Sequence, residues 1–374
     1  MRIPDSGTPE ARAGGILTID LGAIAANFRL LRSRLHGTAC AAVVKADAYG
    51  LGATRVGAAL WQARCRSFFV ATLDEGLTLR AELPEAEIFV LNGLVVAAAD
   101  DYVRRALKPV LNNLEEIAAW GSVAARRETP LPAAIHLDTG MSRLGMPPTE
   151  LDRLVDEPGR LSGIGVEVVM SHLACSEDEA HPQNAVQLAA FRRAVARFRP
   201  AGARLCFANS SGVFLGRDYH FDMVRPGAAL YGINPQPGRP NPLSPAVRLQ
   251  GRILQLREID TDTPVGYGAT HRCAPPALLA TVGVGYADGY LRSLSGRGIA
   301  VAAGRRVPVV GRVSMDLLTL DVSELPQGSL RPGDLVDLIG PENPVDDLAA
   351  QAGTIAYEIL TALGQRYARS YIPA

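Results

Sequence analysis

Eight short β-rich runs, at 39–44, 67–71, 87–91, 108–111, 133–138, 165–171, 204–207 and 223–231, alternate along the chain with segments of helical spacing. Ala23-Ile-Ala-Ala-Asn-Phe-Arg-Leu-Leu-Arg and Gln187-Leu-Ala-Ala-Phe-Arg-Arg-Ala-Val are two of the helical segments. A parallel strand reaches its neighbour only through a crossover, which a helix supplies, so repeated strand-helix units predict a parallel sheet covered by helices. Eight such units predict a (β/α)8 barrel, with an open doubly wound sheet as the competing arrangement. A further strand, Ile16-Leu-Thr-Ile-Asp20, precedes the first unit.

The pattern breaks at Asn234-Pro-Gln-Pro-Gly-Arg-Pro-Asn-Pro242, whose prolines sustain neither a helix nor a central strand. Beyond it, Val247-Arg-Leu-Gln-Gly-Arg-Ile-Leu-Gln-Leu, Ala277-Leu-Leu-Ala-Thr-Val-Gly-Val and Val307-Pro-Val-Val-Gly-Arg-Val are separated by Gly and Pro rather than by long helices. The chain therefore reads as α/β, with an N-terminal TIM-like barrel over 15–242 and a C-terminal mainly-β domain over 243–374, which residues 1–14 can join. This second domain is expected to end in a helix near Thr354-Ile-Ala-Tyr-Glu-Ile-Leu-Thr-Ala-Leu. With 374 residues, 48% of them hydrophobic, the chain is long enough for two cores.

The 38 basic residues balance 38 acidic ones, so no net field favours nucleic acid or an anionic membrane, and a small-molecule partner is expected. No stretch stays uncharged long enough to span a bilayer, and the opening residues lack an apolar signal core, so the cytoplasm is the expected compartment. Cys40, Cys65, Cys175, Cys206 and Cys273 form no C-x-x-C pair, which suggests neither a disulfide framework nor a metal site.

Only two of the basic residues are lysines, Lys45 and Lys108. Lys108 reads as a snorkelling surface lysine. Lys45 ends an apolar run in Val43-Val-Lys-Ala-Asp-Ala-Tyr-Gly-Leu-Gly-Ala53, at the C-terminal end of the first barrel strand. An amine can lose its proton and attack a carbonyl, whereas a guanidinium stays charged, which separates this position from the many arginines.

Other unusual polar residues fall at equivalent places: Arg143 after the fifth strand, His172 after the sixth, Asn209 and Ser210 after the seventh, Arg225 and Gly227 with the eighth. In such barrels that face carries the chemistry, and the loops after strands seven and eight commonly bind phosphate. Asn209-Ser-Ser-Gly212 and Arg225-Pro-Gly-Ala228 are ordinary turn sequences when taken singly, but glycine lets backbone N–H groups approach an anion. A lysine facing a phosphate clamp across a pocket is the layout that pyridoxal phosphate requires. Tyr49, four residues beyond Lys45, is close enough to reach the same phosphate.

VVKADAYGLGA, Asp138-Thr-Gly-Met-Ser-Arg-Leu-Gly145, Ser171-His172, Asn209-Ser210, Arg225-Pro-Gly-Ala-Ala-Leu-Tyr-Gly232, Gly266-Tyr-Gly268, Gly285-Tyr-Ala-Asp-Gly289, Gly311-Arg-Val-Ser-Met-Asp316 and Tyr357-Glu-Ile-Leu360 follow one another in a family order. In these motifs, from about residue 15 to the C-terminus, the chain resembles the alanine racemases, pyridoxal-phosphate enzymes that interconvert L- and D-alanine. The resemblance implies that Lys45 holds the cofactor, that Tyr49, Ser210, Gly227, Ala228 and Tyr357 cradle its phosphate, and that Arg225 faces the pyridine nitrogen. A guanidinium does not readily give up a proton there, which should suppress transamination.

Racemisation removes a proton from one face of the α-carbon and returns one to the other, so two bases must flank it. By the resemblance these are Lys45, serving D-alanine, and Tyr267, serving L-alanine. Tyrosine ordinarily titrates near pH ~10, so a phenolate needs cations close by, and Arg143 and His172 are the candidates. Asn209 and His136 support the same site. Tyr267, Met315 and Asp316 reach the neighbouring subunit's site in the family, so a homodimer with shared active sites is implied. There Arg143 and the Met315 amide meet the substrate carboxylate, and Tyr286 with Tyr357 narrows the entrance to little more than a methyl side chain. One extra small group is resisted by only ~1–3 kcal/mol, so some turnover of L-serine is expected. The implied role is to supply D-alanine as a peptidoglycan precursor or to degrade it.

Two residues before Asp138, many family members carry a lysine that becomes carbamylated and orients the arginine; this chain has His136. Arg143 must then be oriented by a neutral ring nitrogen of His136, by a bound anion or by a nearby side chain, unless His136 merely packs in the barrel mouth. The competing functions are a broad-specificity amino-acid racemase on the same scaffold and a non-catalytic cofactor carrier, the latter made of the barrel alone. A decarboxylase of basic amino acids needs a long cationic pocket, which Tyr286 and Tyr357 oppose.

Overall fold

The computed structural model of the protein describes residues 3–4 and 9–374. Ser67–Val70, Glu87–Val90, Lys108–Leu111, Leu131–His136, Ile164–Met170, Arg204–Cys206 and Met223–Val224 pair in parallel, each with the next. The first strand is split at Ala41: Ala42–Val43 pairs with Ser67–Val70 on one side, and Ala39–Cys40 pairs with Met223–Val224 on the other. That double pairing closes the ring, and the result is the expected eight-stranded barrel rather than the open sheet. These strands are apolar runs because the sheet is covered on both faces, by side chains inside and helices outside. Phe69 and Phe89, on neighbouring strands, are fully buried and stacked at 4.8 Å. The eighth strand is shorter than the sequence suggests: only Met223–Val224 is extended, and Ala228–Tyr231 is a 3-10 turn.

The second sheet is built around the long strand Val247–Ile259, which pairs antiparallel with Ala277–Val282 and with Leu335–Ile339. Leu318–Asp321, Arg305–Val310 and Ile299–Ala302 complete the circuit between those two partners, so this sheet also closes on itself. Gly15–Asp20 belongs here, pairing antiparallel with Val247–Ile259 and parallel with Ala368–Ile372. A barrel starting at residue 15 therefore takes in one strand of its neighbour. An apolar strand reads alike in either sheet, and its partners lie more than two hundred residues away. Asp20 marks the change of direction, since its carboxylate caps the helix Leu21–Ser33 by accepting from the Ala23 amide at 2.8 Å. Ile3–Pro4 adds to the far edge of Ala368–Ile372; the rest of 1–8 lies outside the described residues.

The chain does not finish in a helix. Ala356–Ala362 is helical as expected, but Ala368–Ile372 follows it as a strand. Among the described residues no helix is long and apolar enough to cross a membrane.

Lys108 is not a surface lysine. Its ammonium lies 2.8 Å from Glu87 Oε1 and 2.5 Å from Glu167 Oε2, and Arg204 reaches Glu87 at 2.6 Å. Burial alone would raise the Glu87 carboxyl, but hydrogen bonds from Arg204, Lys108 and Ser67 pull it below the usual carboxylate range. Ser67, Glu87, Lys108 and Arg204 each open a barrel strand, so this charged layer sits at the N-terminal end, where polar residues serve stability.

Candidate active site

The barrel's opposite end holds a cavity of about 610 Å³ lined by residues from both domains. Lys45 enters it from the first strand through an unusual turn. Ala46, Asp47, Ala48 and Tyr49 all adopt left-handed backbone angles, with φ of 52–59°. Non-glycine residues avoid this conformation at a cost of roughly 1–2 kcal/mol each, so tertiary contacts must hold it. One clamp is Glu75: Oε1 accepts from the Ala46 amide at 2.7 Å, and Oε2 accepts from the Ala71 amide at 2.7 Å. Another is Asp47, which accepts from the Ala53 amide at 2.7 Å. Gly50, at φ +81°, passes so close to the helix Ala356–Ala362 that an added Cβ would stand 2.6 Å from the Leu360 carbonyl.

This turn buries Tyr49 against Tyr231 and Tyr357, with ring centroids at 4.7 and 5.8 Å. A Cβ on Gly227 would stand 2.5 Å from the Tyr49 hydroxyl and 3.2 Å from Val43 Cβ, so glycine is what leaves room for the tyrosine. Behind it the Ser210 hydroxyl accepts from the amides of Gly227 and Ala229 at 3.0 and 3.1 Å. The Tyr49 and Ser210 hydroxyls thus meet the glycine loop at one corner of the cavity, with Ser210 Oγ, its lone pairs engaged by the loop amides, left to donate its O–H. Tyr231 missed notice in the sequence; its hydroxyl donates to the Val43 carbonyl at 2.9 Å and props the strand that ends at Lys45.

Arg225 is almost wholly buried in the same wall. Its guanidinium donates to the Ser171 carbonyl and, at 2.8 Å, to His172 Nδ1, while its Nε–H has no partner. Because the guanidinium can only donate, His172 accepts at Nδ1 and keeps its proton on Nε2. Burial first, and then Arg225 and Arg143, push His172 well below the usual histidine range, so the ring is neutral. His136, at the end of the fifth strand, is also buried and also neutral, held down to about 3 by burial and then by the same two arginines. Arg143, on the exposed loop that follows, also lines the cavity. Asn209 lines the wall, accepting from Ser176 Oγ and the Gly212 amide, both at 2.9 Å.

Burial, Arg143 and Arg225 together lower the Lys45 amine, with Glu75 acting in the opposite sense. Of the cavity's lining carboxylates, Glu177 and Glu358 are both solvent-exposed. The interior is therefore a cationic pocket containing one nucleophilic amine, suited to a ligand with anionic groups and a carbonyl. Among the described residues no group of three or more His, Cys, Asp or Glu could hold a metal ion.

The structure brings Lys45, Tyr49, His136, Arg143, His172, Asn209, Ser210, Arg225, Gly227, Ala228 and Tyr357 to this cavity. It does not bring Tyr267, Tyr286, Met315 or Asp316 there. Tyr267 stands 71% exposed in the 3-10 turn Tyr267–Ala269, within the hairpin of Thr263–Val265 and His271–Cys273. Tyr286 and Met315 sit together on the β domain, where the Tyr286 amide donates to the Ser314 carbonyl and the Ala287 amide to the Met315 carbonyl. Arg366 ties this pair of loops by contacting Asp288 at 2.8 Å and Asp316 at 2.7 Å.

Residues 19–235 match the family model described as alanine racemase, N-terminal domain, and residues 246–371 match alanine racemase, C-terminal domain. The chain belongs to the alanine racemase family. It is 53% identical over 364 residues to an alanine racemase of Rhodospirillum rubrum, with 97% of each chain covered. A catabolic alanine racemase of Agrobacterium fabrum is 50% identical, over 96% of this chain and 92% of that one. Among solved structures, an alanine racemase from Bartonella henselae with covalently bound pyridoxal phosphate superposes with a TM-score of 0.92 at 43% identity, over 96% of this chain and all of that one. The biosynthetic alanine racemase of Pseudomonas aeruginosa gives 0.89 at 35% identity, over 96% and 99%.

The cavity of this alanine racemase family member fits the cofactor expected from its sequence. The glycine-bounded corner beneath Tyr49 has the Tyr49 and Ser210 hydroxyls for a phosphate, and the buried, unpartnered Arg225 Nε–H has the donor for a pyridine nitrogen. Glu75, like Tyr231, is a residue that sequence reasoning missed. For Glu75 a signal was present, because Thr72-x-x-Glu75 is a capping box and the structure contains it.

Proposed function

We propose that this protein is an alanine racemase that uses pyridoxal 5'-phosphate and two bases, Lys45 and the Tyr267 of a second copy, to interconvert L- and D-alanine. The observation that carries the reading is the pairing, in one cavity, of Lys45 with the buried Arg225 whose Nε–H has no acceptor. When bound, the cofactor supplies an electron-withdrawing ring that takes the electron pair left by the departing α-proton. Tyr49, Ser210, Gly227, Ala228 and Tyr357 hold its phosphate. Arg225 orients the ring through a donor that keeps its own proton.

Lys45 Nζ exchanges the proton on one face of the substrate carbon, and its lowered proton affinity keeps more of the amine neutral than an ordinary lysine would have. The Tyr267 phenol oxygen exchanges the proton on the other face. Removal at one face and return at the other inverts the centre. His172, with Nδ1 engaged by Arg225, offers its Nε2–H to the Tyr267 oxygen as it arrives. Arg143 and the Met315 amide bind the substrate carboxylate, Asp316 steadies the Met315 loop through Arg366, and Tyr286 narrows the entrance.

The exposure of Tyr267, Tyr286 and Met315 on the β domain, outside their own chain's cavity, supports a homodimer in which each copy completes the other's site. All five cysteines are free thiols, in keeping with work in the reducing cytoplasm. Purified protein supplied with the cofactor should convert L-alanine to D-alanine until the two are equal, measured by separating the enantiomers. Failure to form D-alanine, or faster conversion of lysine or arginine, would overturn the reading.

A further inference from the structure

Four of the six histidines have a partner at a ring nitrogen, and three of them keep a proton on Nε2. His172 accepts at Nδ1 from Arg225, His181 accepts at Nδ1 from the Gln183 amide, and His220 uses Nε2 to donate to the Val213 carbonyl at 2.9 Å. His136 is the reverse case. Its Nδ1 lies 3.0 Å from Asn112 Oδ1. The Asn112 amide cannot turn over, because its Nδ2 donates to the Val110 carbonyl at 2.9 Å. Its backbone N–H is in turn fixed at 2.9 Å by Glu116. The oxygen therefore faces the ring, Nδ1 must be the donor, and Nε2 is left as a lone pair.

His136 lines the cavity, and the loop carrying Arg143 is stitched to its strand: the Met146 amide donates to the His136 carbonyl at 2.7 Å, and the Asp138 amide to the Met146 carbonyl at 2.9 Å. Arg143 lines the same cavity and has no hydrogen bond or ion pair among the described residues. Acceptors on the neighbouring loops already have donors. Asp138 accepts from the amides of Gly140, Met141 and Ser142, Asn209 Oδ1 from Ser176 and Gly212, and His172 Nδ1 from Arg225.

We infer that His136 is a positioning residue for Arg143: locked by Asn112 with its proton on Nδ1, it presents Nε2 as the acceptor that aims the guanidinium across the cavity. Neutrality is essential, since an imidazolium would repel the arginine, and the ring stays neutral at any working pH. What Arg143 binds rests on the racemase reading; the tautomer of His136 that Asn112 fixes does not.

The test is nitrogen NMR of the complete, cofactor-loaded protein with labelled histidine rings, compared with Arg143→Gln. One ring should carry its proton on Nδ1, and its Nε2 resonance should move in the variant. Protons on Nε2 in every ring, or an unchanged resonance, would overturn the inference, and neither readout needs turnover, so it stands or falls apart from the racemase assignment. In kinetics, His136→Leu should raise KM for alanine roughly tenfold, the scale of one hydrogen bond to a charged group, with kcat and the cofactor's absorbance little changed. His136→Gln, whose side-chain oxygen can accept, should recover part of that loss. In an Arg143→Gln background His136→Leu should add nothing, and independent, additive losses would contradict the coupling.

Discussion

Arg225 Nη1 and His172 Nδ1 lie 2.8 Å apart, which leaves the His172 proton on the nitrogen that faces away from the arginine. That Nε2–H is the donor we assign to Tyr267. His172→Leu should lower α-proton exchange of L-alanine in heavy water by about 10²-fold, the scale of one misplaced acid-base partner, while cofactor uptake stays intact. Exchange at the wild-type rate would remove His172 from the reaction.

Acid should destabilise the protein through its histidines before its carboxylates. Folded His136 stays neutral down to about 3, whereas in the unfolded chain it gains a proton near 6.5. The unfolded state binds more protons below that point, so the contribution is complete above 6.5 and is lost progressively as pH falls towards 3. The slope for one such histidine approaches about 1.4 kcal/mol per pH unit, and His172 acts in the same direction. Urea unfolding at a series of pH values should show the decline beginning near 6.5, and His136→Gln should flatten it.

Glu75 holds the left-handed turn after Lys45 by accepting from the amides of Ala46, Ala71 and Thr72. Glu75→Ala should destabilise the protein by about 2–3 kcal/mol, the worth of hydrogen bonds to a charged acceptor, and should weaken cofactor retention. Denaturant midpoints with and without cofactor separate the two effects, and a variant equal to wild type in both would show that the turn holds itself.

The barrel was legible because each buried parallel strand is a local apolar run and each chemical residue lies at the C-terminal end of such a run or in the loop after it. Lys45, Arg143, His172, Ser210 and Arg225 could be placed on one face for that reason. What escaped depends on distant partners. Gly15–Asp20 looks the same whichever sheet it joins, and its partners are Val247–Ile259 and Ala368–Ile372. Lys108 looks like a surface residue until Glu87, Glu167 and Arg204 are folded against it. Asn112 bears no motif, and its importance lies in which way its amide points at His136.

The charged layer at the barrel's other end should matter to stability and not to turnover. Lys108→Met leaves Glu87 to Arg204 alone and takes the ammonium from Glu167, and losing hydrogen bonds to charged groups of this kind costs about 1.5–3 kcal/mol. Thermal or urea unfolding should register that loss while KM for alanine is unchanged. A shift in KM without a shift in stability would reverse the assignment.

Lys45 and Tyr267 are proposed to act on one substrate from two different copies of the chain. Mixing separately inactive Lys45→Ala and Tyr267→Phe proteins under conditions that let subunits exchange is the most direct test, because one site of each mixed dimer then regains both bases. Racemase activity should reappear in the mixture and be absent from each protein alone. A mixture in which mixed dimers form and no activity returns would contradict the shared site.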